Sequence, residues 1–469
     1  MSTQIAKKYS NITWTEVNSP WFYKGQYRLD GSFYCGDIIK ARLLLGQLNS
    51  DKLEQYGNCW MLNRYKKVMA EGLQNGVPFF AANRIVEAKP LPDKYVNKSF
   101  KHLNKYFVED SNTLLITRSG MVGKITIFDK RFEGVALSED LLRFQIDSNE
   151  LPIGYIYAYL RSWIGQSLLK SSEFGSVISH IDPGHLLNTN IIVIDQQNIK
   201  KIHNDVMQAF SLRDQANELI DESQELFYKL LNLPRIPEDD VQYLGDDKVK
   251  AWEVFKWSNR FRLDASFYHP LAELAIDNLQ KSVHSIERLG LKNNVYELPT
   301  YKRVYVKKGF GIPFLSGKNL MESSFSDLKY QSEIPIKNID GYLIQEGMIL
   351  ITMRGTCGNV CLIDKSLNGF GASHNIMRLK PSEKYFGGYI YSFLLSDYGK
   401  FQMQAKVLGS VVDVLTPEDL SDIYIPFVDM DIQKQIGEKA QKAFELRAKA
   451  NEIEEKAIEF LEKKIKEFV

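Results

Sequence analysis

Cysteine is scarce in this chain. Four residues among 469 do not make a disulfide framework, so a reducing compartment is the default expectation. No apolar run approaches the roughly eighteen residues that a membrane-spanning helix needs. The opening stretch, MSTQIAKKYS, has no apolar core of the kind a secretory signal carries, and a cytoplasmic location is expected. There is no excess of charge either: 59 Lys and Arg face 58 Asp and Glu, for a net charge of +1. Even residues 1–110 carry only 16 basic against 10 acidic side chains. Nucleic-acid binding would have to come from local patches rather than from a basic domain.

Signatures of catalysis are missing as well. Cys357 and Cys361 have three residues between them and no second ligand pair at matching spacing, which argues against a zinc site. His180 and His185 flank a Pro-Gly pair that reads as a turn rather than a metal-binding helix. Gly317-Lys318-Asn319 lacks the spacing and the Ser or Thr of a phosphate loop. No dinucleotide fingerprint, Asn-Pro-Pro-aromatic methyltransferase motif or nuclease carboxylate cluster is found. The expectation is a chain without catalytic residues, metal or cofactor of its own.

What the sequence does contain is a duplication. Asn198–Leu231 has neither Pro nor Gly, and its small and apolar residues fall at Ile202, Val206, Ala209, Leu212, Ala216, Leu219, Ser223, Leu226 and Leu230. Steps of three and four make one stripe along a helix. From Asp431 the stripe returns at Ile436, Ala440, Ala443, Leu446, Ala450, Ile453, Ala457 and Phe460. Ala209–Glu218 and Ala443–Glu452 share the pattern AF.LR..ANE. RLDGSFY at Arg28–Tyr34 recurs as RLDASFY at Arg262–Tyr268. Tyr65-Lys66-Lys67-Val68 precedes VPFF, and Tyr301-Lys302-Arg303-Val304 precedes IPFL. LLITRSGMVGKITIFDK (Leu114–Lys130) is matched by ILITMRGTCGNVCLIDK (Ile349–Lys365), which predicts strand, glycine loop, strand in each copy. One amphipathic helix is expected around Tyr155–Leu169 and another around Tyr389–Gln404. Turns are expected at Asp182-Pro183 and Thr416-Pro417, and final strands at Ile191–Ile194 and Ile423–Ile425.

Strands and helices alternate without a regular βαβ beat, so each copy is expected to be a mixed α/β (α+β) domain. Residues 1–197 and 248–430 are read as the two globular domains, and 198–232 and 431–469 as long helices. Residues 233–247, with two prolines and five acids, are read as an exposed linker. Two equal rods in one chain most simply pair with each other, antiparallel if a pseudo-twofold axis relates the copies. About 35 residues at ~1.5 Å each give a rod of roughly 50 Å, which matches about fifteen base pairs of B-DNA and would serve as a ruler. Ordinary dimerisation helices fit the same stripe.

Several positions have the chemistry of DNA contacts. Arg64, Lys66 and Lys67, and Lys302, Arg303 and Lys307, lie in basic-aromatic runs; such cations attract phosphates, and alternation in the second run would place several on one strand face. A solvated surface strand has the same composition. Arg118, with Ser119, and Arg354 sit on the glycine loops, where Arg can bond guanine bidentately. Glycine-held turns explain those loops without DNA. His374 and Asn375, in Ser373-His374-Asn375, suit base edges, adenine by Asn especially; their counterpart, Ser138-Glu139-Asp140, is acidic. Arg213 and Arg447, one turn before the Ala-Asn pairs, could face a partner protein, although helix packing accounts for the neighbouring alanines.

These motifs, in both copies and in this order, resemble the specificity subunit of type I restriction-modification enzymes over nearly the whole chain. The resemblance implies two target recognition domains, each reading half of a bipartite double-stranded DNA sequence. It implies paired helices in a coiled coil that fix the spacing and dock methyltransferase (modification) subunits, two of them, with restriction/translocase subunits completing the complex and no membrane. S-adenosylmethionine, Mg²⁺ and ATP would belong to those partners. One departure stands out: the arginine lies one place earlier relative to the glycine in Arg118-Ser119-Gly120 than in Arg354-Gly355. The alternative reading is a non-catalytic coiled-coil scaffold for protein partners.

Overall fold

A computed structural model describes residues 31–34, 36–70, 72–173, 179–237, 251–254, 262–282, 285–325, 328–334, 339–409 and 411–468. Arg28–Asp30 of the first RLD motif, Cys35, Gly175-Ser176, Ser410 and the linker beyond Pro237 lie outside these residues. The chain divides into two compact units, Met1–Phe210 with Glu452–Val469, and Ser211–Asn451. Both divisions fall inside long helices, Gln196–Leu230 and Met430–Glu467. The expected boundaries set the helices apart from the globular domains. In the structure each unit instead takes a segment of both helices, because those segments wall its core.

In the first unit an antiparallel sheet runs in the order Gly57–Trp60, Leu141–Ile146, Thr113–Thr117, Ile125–Ile127. Thr113–Thr117 is buried throughout because both faces of the sheet are covered. Leu114 and Ile116 point into a core with helix Ile153–Arg161, while Leu115 points into a second core with Phe80, Ile85 and Phe132. Alternation of side chains across a strand requires this split. A smaller sheet orders Met69–Ala70, Lys94–Asn97, Gly76–Phe80 and Ala136–Leu137, the last pair parallel. Ser50–Lys52 pairs with Asn190–Ile192. Ile202, Val206, Phe210, Ala457, Leu461 and Ile465 of the long helices close the main core.

The second unit repeats this order strand for strand. Asn294–Tyr296, Ile376–Lys380, Ile349–Thr352 and Val360–Leu362 form the first sheet. Tyr305–Val306, Lys329–Gln331, Ile312–Leu315 and Gly371–Ala372 form the second. Tyr389 donates its hydroxyl to the Pro426 carbonyl at 2.7 Å, just as Tyr155 donates to Ile192 at 2.5 Å.

Some expectations change in detail. The single helix expected near Tyr155–Leu169 is two, Ile153–Arg161 and Trp163–Ser171, and the one near Tyr389–Gln404 is Gly387–Leu395 and Asp397–Lys406. Ser162 and Ser396 break each pair with extended backbone, and their hydroxyls accept from Gly165 and Gly399 as N-caps. Asp182-Pro183 and Thr416-Pro417 are not simple turns but begin short helices, Pro183–Leu187 and Pro417–Ser421, with proline at the first helical position.

Within the second unit the helix segments run with opposite chain direction: Arg213 bonds Asn451, Asn217 accepts from Arg447, and Ser223 donates to the Ile436 carbonyl. Buried Ala216, Ser223, Ala440, Ala443 and Ala450 keep them close. The buried face also includes Ile220 and Phe227, while Leu212, Leu219 and Leu446 are only half-buried. The packing face is thus rotated slightly from the stripe read in the sequence. No helix among the described residues is long and apolar enough to cross a membrane.

Candidate nucleic-acid interface

In each unit, three segments far apart in sequence meet at one place: the basic run, the glycine loop, and the polar tripeptide at 138–140 or 373–375. The glycine loops share one backbone. Gly123 N bonds Thr117 O at 3.0 Å, and Gly358 N bonds Thr352 O at 2.9 Å. The Thr117 and Thr352 hydroxyls each donate to a carbonyl in the turn, Met121 and Thr356, and accept from the amides of Lys124 and Asn359. Gly120 and Gly355 have φ of 74° and 79°, a region that disfavours side chains with a Cβ. The Arg118 amide bonds the Asp140 carbonyl and the Met353 amide bonds that of Asn375, both at 3.1 Å. Position 118 therefore corresponds to Met353, and Ser119 to Arg354.

That one-place shift separates the two arginines. Arg354 is exposed, 3.5 Å from Asn375 Oδ1 and 3.9 Å from Glu297. Arg118 is half-buried and ion-paired to Asp182 at 2.8 Å, with Asp140 at 3.9 Å. Ser119 is half-buried and pairs with His180 across a β-bridge.

The basic runs are mostly irregular rather than strand. Only Tyr305–Val306 is paired, so the alternating cationic strand face expected for the second run does not form across Lys302 and Arg303. Arg303 reaches Ser373 Oγ and His374 Nδ1, both at 3.1 Å, while Lys302 is exposed and Lys307 is exposed in the turn before Ile312. In the first unit Arg64 donates to Asp140 at 2.9 Å. Lys67 lies over the Phe79 and Tyr106 rings and bonds Glu139 at 2.7 Å, with side-chain exposures of only 14% and 11%. Lys66 is exposed.

The two clusters thus differ in electrostatics. In the first, Arg64, Lys67 and Arg118 are each tied to a carboxylate. In the second, Arg303 stands beside the neutral Ser373 and His374, and Arg354 lies beside Asn375 with only a loose contact to Glu297 at 3.9 Å. The His374 imidazole is held below its ordinary value by burial, and then by Arg303, Arg354 and Arg378. Carboxylates accept hydrogen bonds from cytosine, whereas Asn and Arg suit adenine and guanine. Arg213 and Arg447, expected to face a partner, have their guanidiniums turned onto Asn451 and Asn217 at 2.8 Å, and Arg213 is buried. Burial pushes the Cys361 thiol up to about 12 and raises Cys357 as well, which keeps both protonated.

Sequence reasoning missed two residues beneath the clusters. Arg143 and Arg378 are 0% and 1% exposed, and burial lowers both to about 10. Their signal was an arginine inside an apolar strand at corresponding places, LLRFQI and IMRLK.

Part of the chain matches a known family. Residues 295–462 match the type I restriction modification DNA specificity domain, a span that includes Arg303, Arg354 and the tripeptide at 373–375. Among solved structures, the chain is similar to the type I restriction-modification system S subunit from M. genitalium, with 15% identity and a TM-score of 0.33, over 90% of this chain and 95% of that one. The HsdS subunit from Thermoanaerobacter tengcongensis is 14% identical, with a TM-score of 0.28, over 90% of this chain and 97% of that one. No curated protein matches the chain.

Proposed function

We propose that this chain is the DNA specificity subunit of a type I restriction-modification complex. The cluster around 138–140 reads one half of a bipartite target, and the cluster around 373–375 reads the other. The observation that carries this reading is the same convergence of basic run, glycine loop and polar tripeptide in both units, with different side chains on one backbone. Different side chains are what two unlike half-sites require.

The long helices set the gap between half-sites and dock two modification subunits, with restriction subunits joining them. The chain itself catalyses nothing; adenine methylation and ATP-driven cleavage belong to partners that use S-adenosylmethionine, Mg²⁺ and ATP. The test is genome-wide mapping of methylated adenine in cells that make the chain with its neighbouring methyltransferase, compared with cells lacking it. A two-part motif with a fixed gap, lost on deletion, is the expected result. An unchanged methylome with an active methyltransferase, and no sequence-selective DNA binding by the chain, would overturn this reading in favour of a protein scaffold.

A further inference from the structure

A buried arginine with no carboxylate in hydrogen-bond contact is an expensive residue, and an apolar side chain of similar volume commonly replaces it at no loss of stability. This chain has two. Arg143 donates to the carbonyls of Leu137 (2.9 Å), Ser138 (3.3 Å) and Leu141 (3.2 Å). Arg378 donates to those of Ala372 (2.5 Å), Ser373 (2.9 Å) and Ile376 (2.6 Å). Each carbonyl, like the arginine itself, has its counterpart 235 residues on: 137 and 372, 138 and 373, 141 and 376. Glu139, the acid near Arg143, is bonded to Lys67.

The rest of each loop is fixed in the same way. Ser138 N bonds Phe80 O at 3.0 Å and Ser373 N bonds Leu315 O at 2.9 Å. Ser138 Oγ accepts from Asp140 N at 3.1 Å, and Ser373 Oγ accepts from Asn375 N at 3.2 Å. Inside this shared frame the two side chains that follow the serine are unrelated, Glu139-Asp140 against His374-Asn375. The planar guanidinium fork can hold several carbonyls at once, which the point-charge ammonium of lysine does poorly.

We infer that Arg143 and Arg378 are positioning residues for DNA reading, each holding a fixed carbonyl frame from which Asp140 in one unit, and His374 and Asn375 in the other, are presented to base edges. The inference rests on the reading of the chain as a DNA specificity subunit. It is tested on the full-length chain by two measurements: amide exchange of residues 138–141 and 373–376, and selection from a randomised pool of double-stranded DNA. Arg378→Lys is expected to speed exchange in 373–376 and to relax one half of the selected motif by about tenfold, within what one good base contact contributes. The other half, and the salt dependence of binding, stay as in the parent chain. Arg143→Lys is expected to do the converse. Should Arg378→Lys fail to fold, Asn375→Asp keeps the frame and must still change that half of the motif alone. Faster exchange with both half-motifs intact would overturn the inference and leave the functional reading standing. A parent chain that selects no motif would overturn both, leaving the arginines as packing devices.

Discussion

Lys302 and Lys67 occupy corresponding basic runs, yet the structure predicts opposite consequences for their loss. Lys302 is exposed beside Arg303, so its charge is available to a phosphate. Each phosphate neutralised steepens the fall of log K with log salt by about 0.9, so Lys302→Ala should flatten the slope by about that amount. Between about 50 and about 200 mM salt the variant should then lose roughly 3.5-fold less affinity than the parent, ~0.7 kcal/mol, on any DNA sequence. Lys67 is already neutralised by Glu139 at 2.7 Å and lies over two aromatic rings. Lys67→Ala should leave the slope unchanged and instead strand Glu139, costing on the order of 2 kcal/mol of stability. That is below the ~3–5 kcal/mol of a fully buried pair, because both side chains keep some solvent. Fluorescence anisotropy across a salt series, with urea unfolding of the same proteins, separates the two outcomes. A flattened slope for Lys67→Ala, or none for Lys302→Ala, would refute the assignment of free and neutralised charge.

Gly388→Ala should destabilise the second unit by about 3 kcal/mol, the upper end for overpacking, because a Cβ there would lie 2.1 Å from the Gly437 carbonyl oxygen; thermal unfolding measures it, and a change near zero would show that the helices can separate freely. A double-mutant cycle on Arg213 and Asn451 should give a coupling of about 1.5–3 kcal/mol, the range for a hydrogen bond to a charged group, without altering which DNA sequence is selected. His374 supplies a pH dependence. Its folded imidazole resists protonation, so its contribution to stability is present above the ordinary value of about 6.5 and declines as pH falls through it. Nearby phosphate favours the imidazolium, so DNA binding should take up a proton and tighten as pH falls; His374→Gln, assayed by binding isotherms at two pH values, should lose that trend.

The duplication, the strand–glycine loop–strand units and the long helices were legible because they are local. A helical stripe is written in steps of three and four, and a strand pair around Gly120 or Gly355 in a few adjacent residues. Ser162 and Ser396 escaped that reading, since a serine within an amphipathic pattern declares itself a cap only once the backbone turns extended there. The candidate residues were legible as chemistry but not as partners. Arg64, Lys67 and Arg118 were read as available cations, and the structure ties them to Asp140, Glu139 and Asp182.

The sequence by itself determined that one unit was copied, that the two long stripes become helix and the segments flanking the glycine loops become strand, and that both copies carry cations and polar side chains at matching places. Tertiary structure alone decided which of those cations remain charged to solvent, which guanidiniums are spent inside the helix pair, and that Arg143 and Arg378 lie beneath the tripeptides. The physical reason is range. Periodicity and turn chemistry act over a few residues, whereas neutralisation and burial depend on groups about 70 residues away, Lys67 with Glu139 and Arg303 with His374, that only the folded sheets bring within hydrogen-bond distance.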